Sequence, residues 1–134
     1  MSFQVFESLG RFSEAITAAE TDISNWTCHA PLLTQSYTAI GRCQAKLGKM
    51  DEATIAFEAA IDKARSCELP FMEMLARRDF IVNVLDRQGQ RESQLPGLGE
   101  CLSRMVLAPE EYSAVLGSGL DGAAAVAAFK ASRE

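Results

Sequence analysis

Apolar residues recur at helical spacing along most of the chain, interrupted at intervals by glycine or proline. Ala15, Ile16, Ala19 and Ile23 share one face of a segment over 13–24. Leu32, Leu33, Tyr37, Ile40, Cys43 and Leu47 form a second such face over 31–46, and Ala53, Ala56, Phe57, Ala60, Ile61 and Ala64 a third over 51–66. This period marks amphipathic helices, and the chain has no alternating run of the kind that marks a strand. Phe71, Met74, Leu75, Phe80, Ile81, Val84 and Leu85 continue the pattern from Pro70 to about Gln88. Pro31 and Pro70 suit first-turn positions, where the missing amide has no intrahelical acceptor to serve. The pattern is weaker at both ends. Residues 3–9 supply about two turns at about 1.5 Å per residue. The helix expected after Gly89, up to about Met105, contains Pro96, Gly97 and Gly99, which predict a break. Beyond it, Pro109-Glu110-Glu111 reads as a helix start, Gly117-Ser118-Gly119 as its end, and Asp121 as the cap of a last alanine-rich helix with Val126 and Phe129.

The punctuation repeats. Leu9-Gly10-Arg11-Phe12-Ser13-Glu14-Ala15 recurs 38 residues later as Leu47-Gly48-Lys49-Met50-Asp51-Glu52-Ala53, and Gln88-Gly89-Gln90 echoes it 41 residues after that. Each glycine follows an apolar run, where a helix ends on a left-handed residue that glycine adopts without strain. Ser13 and Asp51 then stand where a side-chain oxygen is expected to cap the next helix. The alanines at 15 and 53 predict close helix contact. Helix, glycine turn, cap, helix describes an αα-hairpin.

Residues 34–67 resemble the tetratricopeptide repeat (TPR) family. Tyr37 stands at the large apolar position of the first helix, Ile40-Gly41 at the Leu-Gly pair, Leu47-Gly48 at the turn, and Ala53, Phe57 and Ala60 at the small-large-small series of the second helix. The copy departs from the family at Gln44, where a tyrosine is usual, and at Arg65, where a proline is. The first copy keeps Phe6, Leu9, Gly10, Phe12 and Ala15; the third keeps Gly89, Leu98 and Cys101. Spacings of 38 and 41 exceed the family's usual repeat of about 34. The resemblance covers roughly residues 3–105 and implies an all-α superhelix of antiparallel hairpins. Its repeats would be 3–30, 31–68 and 69–105, about two and a half to three in number, with capping helices over 106–134 and a single helical domain over 1–134. It also implies a partner surface along the first helices of the hairpins. Carried over residue by residue, the positions are Gln35, Thr38, Arg42 and Ala45 in the central copy, Ala76, Asp79, Asn83 and Asp86 in the third, and Gln4 and Glu7 in the first. The partner-binding set is therefore Gln35, Thr38, Arg42, Asp79, Asn83 and Asp86. With Arg42 as its cation and Asn83 as its amide, it lacks the paired Lys and Asn with which some family members clamp a terminal carboxylate.

Composition narrows the function classes. The 134 residues are 48% hydrophobic and 23% charged, which suits a packed chain. A net charge of −5 without a basic stripe is unfavourable for binding a phosphate backbone, so no nucleic-acid partner is expected. No stretch approaches the ~18 apolar residues of a membrane span, and the opening MSFQVFESLGRF has no leader pattern. The cysteines at 28, 43, 67 and 101 form no CxxC pair and read as reduced thiols filling core positions, which points to the cytoplasm.

Few residues carry candidate chemistry. Cys28-His29 contains the only histidine, too few ligands for a metal and no base-assisted thiolate. Trp26 lies in the longest early loop and is expected to fold back over the hairpin core rather than serve as an exposed anchor. Arg77 or Arg78 is expected to bridge to Asp51, Glu52 or Glu58 of the preceding repeat. Asp51-Glu52 and Glu110-Glu111 sit in helix first turns, where dipole effects account for them. The chain thus reads as a non-enzyme without metal or cofactor, a scaffold that binds a protein or peptide. The alternative is a structural subunit or fragment of a larger helical assembly. In that case the short first helix would leave an apolar flank for a homo- or hetero-oligomer.

Overall fold

The computed structural model describes residues 2–133, and among them every regular element is helical. Four helices come first: α1 (Ser2–Ser8), α2 (Phe12–Asn25), α3 (Ala30–Lys46) and α4 (Met50–Ser66). α5 (Pro70–Phe80) continues without a break into a π-helical turn (Ile81–Leu85) and a last α turn (Asp86–Gln88). A 3₁₀ turn (Arg91–Gln94) leads into α6 (Leu95–Ser103), a second 3₁₀ turn (Pro109–Glu111) into α7 (Tyr112–Leu116), and α8 (Gly122–Ser132) is the last helix described.

The three repeated glycines make one and the same turn. Gly10, Gly48 and Gly89 have φ of 75°, 80° and 67°. After each, the next amide reaches back five residues to a helix carbonyl: Arg11 to Phe6 (2.9 Å), Lys49 to Gln44 (2.9 Å) and Gln90 to Leu85 (3.0 Å). These bonds satisfy carbonyls that the helix end would otherwise leave open. Ser13 and Asp51 are not caps, however. The helices begin two residues earlier than caps at Ser13 and Asp51 would require, behind Arg11 and Lys49, and neither start has a side-chain cap bond. Arg11 instead pairs with Glu14 across the first turn. True caps occur at His29, whose Nδ1 accepts from the Leu32 amide (3.1 Å), and at Asp121, which accepts from Ala124 (3.2 Å). Pro31 and Pro70 are first-turn prolines, as expected.

α2, α3, α4 and α5 each pack on the helix before them in the chain. In α3–α4, Gly41 faces the ring of Phe57. In α4–α5, Phe57 stacks on Phe80 at 5.4 Å while Arg65 meets Glu73 at the other end. Phe57 is completely buried, which stabilises the fold by about 2–3 kcal/mol. Apolar side chains from α3, α4, α5, α6 and α8 merge into one core, and Phe3, Ala15, Ala19, Ala39 and Cys43 form a smaller cluster where α1 and α2 meet α3.

Several sequence expectations need correction. Pro96 does not break a helix: it occupies the first turn of α6, and the interruption falls earlier, at 89–94. Gly97 and Gly99 lie within α6, where the lack of a Cβ leaves room for the Arg77 guanidinium against Gly97 and the Ala125 carbonyl against Gly99. Trp26 does not cover the hairpin core and is 56% exposed. Cys43 and Cys101 are core thiols, but Cys28 and Cys67 are on the surface. Neither Arg77 nor Arg78 reaches Asp51, Glu52 or Glu58, since both find partners nearer their own helix.

Candidate functional site

α1, α3 and α5 line one side of the molecule, and a cleft of about 220 Å³ runs across them. The helical period places its walls. Positions 35, 38 and 42 of α3 share a face, as do 72, 75 and 79 of α5, so the two faces meet over the cleft. Phe3 and Gln4 close it from α1, and Met72 and Leu75 supply the apolar lining from α5.

At the centre stands Arg42. Its Nε and Nη2 donate to the two carboxylate oxygens of Glu7 (2.7 and 2.8 Å), and Nη1 donates to Oδ2 of Asp79 (3.1 Å). The fork geometry of guanidinium matches a carboxylate bidentately, a bond that lysine cannot copy. Asp79 in turn accepts from Nε of Arg78 (3.1 Å), and Nη1 of Arg78 donates to the Leu116 carbonyl (3.3 Å). One chain of charges therefore joins α1, α3, α5 and the end of α7. Burial by itself would lower the Arg42 pKa, but the hydrogen bond and charge of Glu7, then those of Asp79, outweigh it and hold the guanidinium above its ordinary value. Cys43, one residue on, is pushed up to about 11 by burial and by the negative charge of Glu7.

The partner-binding set divides in two. Gln35, Thr38, Arg42 and Asp79 come together in the cleft. Gln35 is exposed at its rim; Thr38 is buried in its floor, its Oγ1 donating to the Thr34 carbonyl (2.8 Å). Asn83 and Asp86 do not line it. Nδ2 of Asn83 donates back to the Asp79 carbonyl (2.8 Å), and Asp86 is exposed and held in a two-bond pair by Arg91. The π-helical turn is the reason: it adds a residue to the turn at 81–85 and rotates later positions off the register that a continuous α-helix would keep. Glu7 and Gln4 from α1 do belong to this face. Arg78, Met72 and Leu75 were missed, although the 72, 75, 78/79 spacing was a readable signal for them.

A second polar cluster lies on the opposite flank of α5. Glu73 is buried and accepts from Nε of Arg77 (2.8 Å), whose Nη1 donates to the Gln94 side chain (2.6 Å). Burial, reinforced by the Glu73 carboxylate, pushes the nearby Cys101 thiol up to about 12. A thiol so poorly ionised is a weak nucleophile. His29 is engaged as a helix cap, and among the described residues no three His, Cys, Asp or Glu side chains group as metal ligands. No helix among them is long and apolar enough to cross a membrane.

Compared with known proteins, the chain matches no family model, no curated protein and no solved structure. The geometry therefore carries the functional argument alone.

Proposed function

We propose that this chain is a TPR-like stack of helix hairpins that serves as a protein-interaction scaffold, holding a peptide or partner segment in the cleft across α1, α3 and α5. The observation that carries this reading is the cleft itself, walled by the first helices of three successive hairpins and fixed by the Glu7–Arg42–Asp79 ladder. Identical glycine turns at 10, 48 and 89 support the repeat, as does Gly41, the glycine of the Leu-Gly pair in the family resemblance, which lies beneath Phe57. A surface preorganised by internal ion pairs orders little on binding, which favours affinity.

The ladder also narrows the ligand. Arg42 and Arg78 are already paired with Glu7 and Asp79, so among the described residues lining the cleft no free cation waits for a terminal carboxylate. Phe3, Met72 and Leu75 beside Gln4 and Gln35 suit an uncharged segment with an apolar anchor and hydrogen-bonding backbone. Peptides selected from a random display library against the full chain test this. Bound peptide should shift the backbone amide resonances of Gln35, Thr38 and Met72. Gln35→Arg with Met72→Glu should weaken it about tenfold or more, at unchanged melting temperature. Peptides that shift only other surfaces, or that bind the double variant as well as the parent, would overturn the assignment.

A second reading, a subunit of a larger helical assembly, is favoured by one feature: Val5 and Leu9 of the first hairpin are 60% and 63% exposed. It predicts self-association or capture by a neighbouring helical chain, lost in Val5→Ser/Leu9→Ser. Sedimentation velocity showing a monomer at all concentrations would count against the self-associating form.

A further inference from the structure

We propose that the face opposite the cleft is a second docking surface, which takes one amphipathic helix of a partner protein with Lys or Arg flanking its apolar ridge. This surface is a groove of about 390 Å³ between α2 and α4, both of which pack chiefly on α3. Tyr37 and Ile40 of α3 form the floor, Ile23 lines the α2 wall and Ile55 the α4 wall. Ile55 is 68% exposed, a large apolar side chain at the groove edge with nothing of this chain over it. Ala56 and Ala59 keep the α4 wall low, so a third helix can lay its ridge between the two at the usual helix–helix distance of about 8–10 Å.

Charge selects the occupant. Glu20 on the α2 side and Glu52 on the α4 side are exposed, and no Lys or Arg lines the groove. α2 has none along its whole length. Cations flanking an apolar ridge would meet carboxylates from both walls, whereas an acidic helix would be repelled. A second copy of this chain is a poor source for them, since the chain carries 18 Asp and Glu against 13 Lys and Arg, a net charge of −5, and would bring like charge to the groove. The proposal concerns a different face from the cleft and stands whether or not the cleft binds a peptide.

The test uses the full chain and two synthetic amphipathic peptides of about four helical turns, with Leu on one face and either Lys or Glu on the other. The Leu/Lys peptide should shift the amide resonances of Ile23, Tyr37, Ile55 and Ala59, and the Leu/Glu peptide should not. Ile55→Asp should weaken Leu/Lys binding about tenfold or more, and Glu20→Lys with Glu52→Lys should reverse the preference between the peptides. All three sites are exposed, so the melting temperature should hold and loss of binding should not reflect unfolding. The proposal is overturned if the Leu/Lys peptide maps to another surface, or if the substituted chains bind as the parent does. It is also overturned if the free chain sediments as a dimer that Ile55→Asp dissociates, which would give the groove to a second copy.

Discussion

The α3–α4 hairpin and the α6–α8 pair are both held close by a glycine inside a helix, yet the two contacts differ in kind. A Cβ on Gly41 would lie 2.8 Å from the Phe57 ring, which is a side chain with some freedom to shift. A Cβ on Gly99 would collide with the Ala125 carbonyl oxygen and lie 2.6 Å from its carbon, which is main chain of the first turn of α8. The partners also come together differently. α3 and α4 are joined by the Gly48 turn, so local geometry already folds one onto the other. α6 and α8 have α7 and two loops between them, and only packing brings them together. The same residue type thus tightens a locally dictated contact in one region and makes possible a purely tertiary one in the other.

The largest effect should come from breaking the tertiary contact. Gly99→Ala is expected to destabilise the chain by about 3 kcal/mol or more, because rigid backbone cannot yield to overpacking; urea denaturation measures it. Next, Arg42→Ala strands Glu7 without its partner and leaves Asp79 with Arg78 alone. A loss of about 2–3 kcal/mol is expected, below the value for a fully buried pair because Arg42 keeps some solvent contact. Hydrogen exchange should then show the α1 amides opening first, since Glu7 is the polar tie from that short helix to α3. Gly41→Ala should cost less, about 1–2 kcal/mol. Combining it with Phe57→Leu should give less than the sum of the two single losses, since the smaller side chain relieves the clash. If Gly41→Ala proved as costly as Gly99→Ala, the distinction between side-chain and main-chain contact would fail.

The smallest effect concerns the thiols, which report on each region separately. Cys43 beside the α1–α3 cluster is held up to about 11 and Cys101 in α6 up to about 12, against an ordinary 9.0. A raised thiol pKa means the fold favours the protonated form. This contribution is intact below about pH 9 and is lost as the pH climbs from 9 toward 11–12, where the unfolded chain ionises first. The urea midpoint should therefore be level up to about pH 9 and decline above it, and less steeply in Cys101→Ala. With a maleimide at neutral pH, the exposed Cys28 and Cys67 should react quickly and the two buried thiols only on unfolding.

Much of the fold was legible because its signals are local. The glycine turns at 10, 48 and 89 were readable, since a left-handed helix end favours glycine. The turn after α4 was not: it has the same five-residue return, from the Leu69 amide to the Ala64 carbonyl (2.8 Å), but its left-handed residue is Glu68. The absence of a capping bond at Ser13 and Asp51 was illegible for a related reason, because a shift of two residues in the helix start turned each expected cap into a first-turn side chain. In the candidate site, Gln35, Thr38, Arg42 and Asp79 were positions that the family resemblance implied, and the cleft does bring these four together. Asn83 and Asp86 fell outside it because the π-helical turn shifts the helical register, and no residue type in Ile81–Leu85 announces such a turn.

By itself, then, the sequence determined where helices run, where three of them end, and which positions along each helix share a face. Those properties follow from backbone preference and the 3.6-residue period, which act within a few residues of each position. Tertiary structure alone decided that Arg42 is occupied by Glu7 and Asp79, that Trp26 stays exposed, and that Gly99 lies under α8. Each depends on which side chain or carbonyl arrives from a distant part of the chain, and that is fixed only when all the helices have found a common packing.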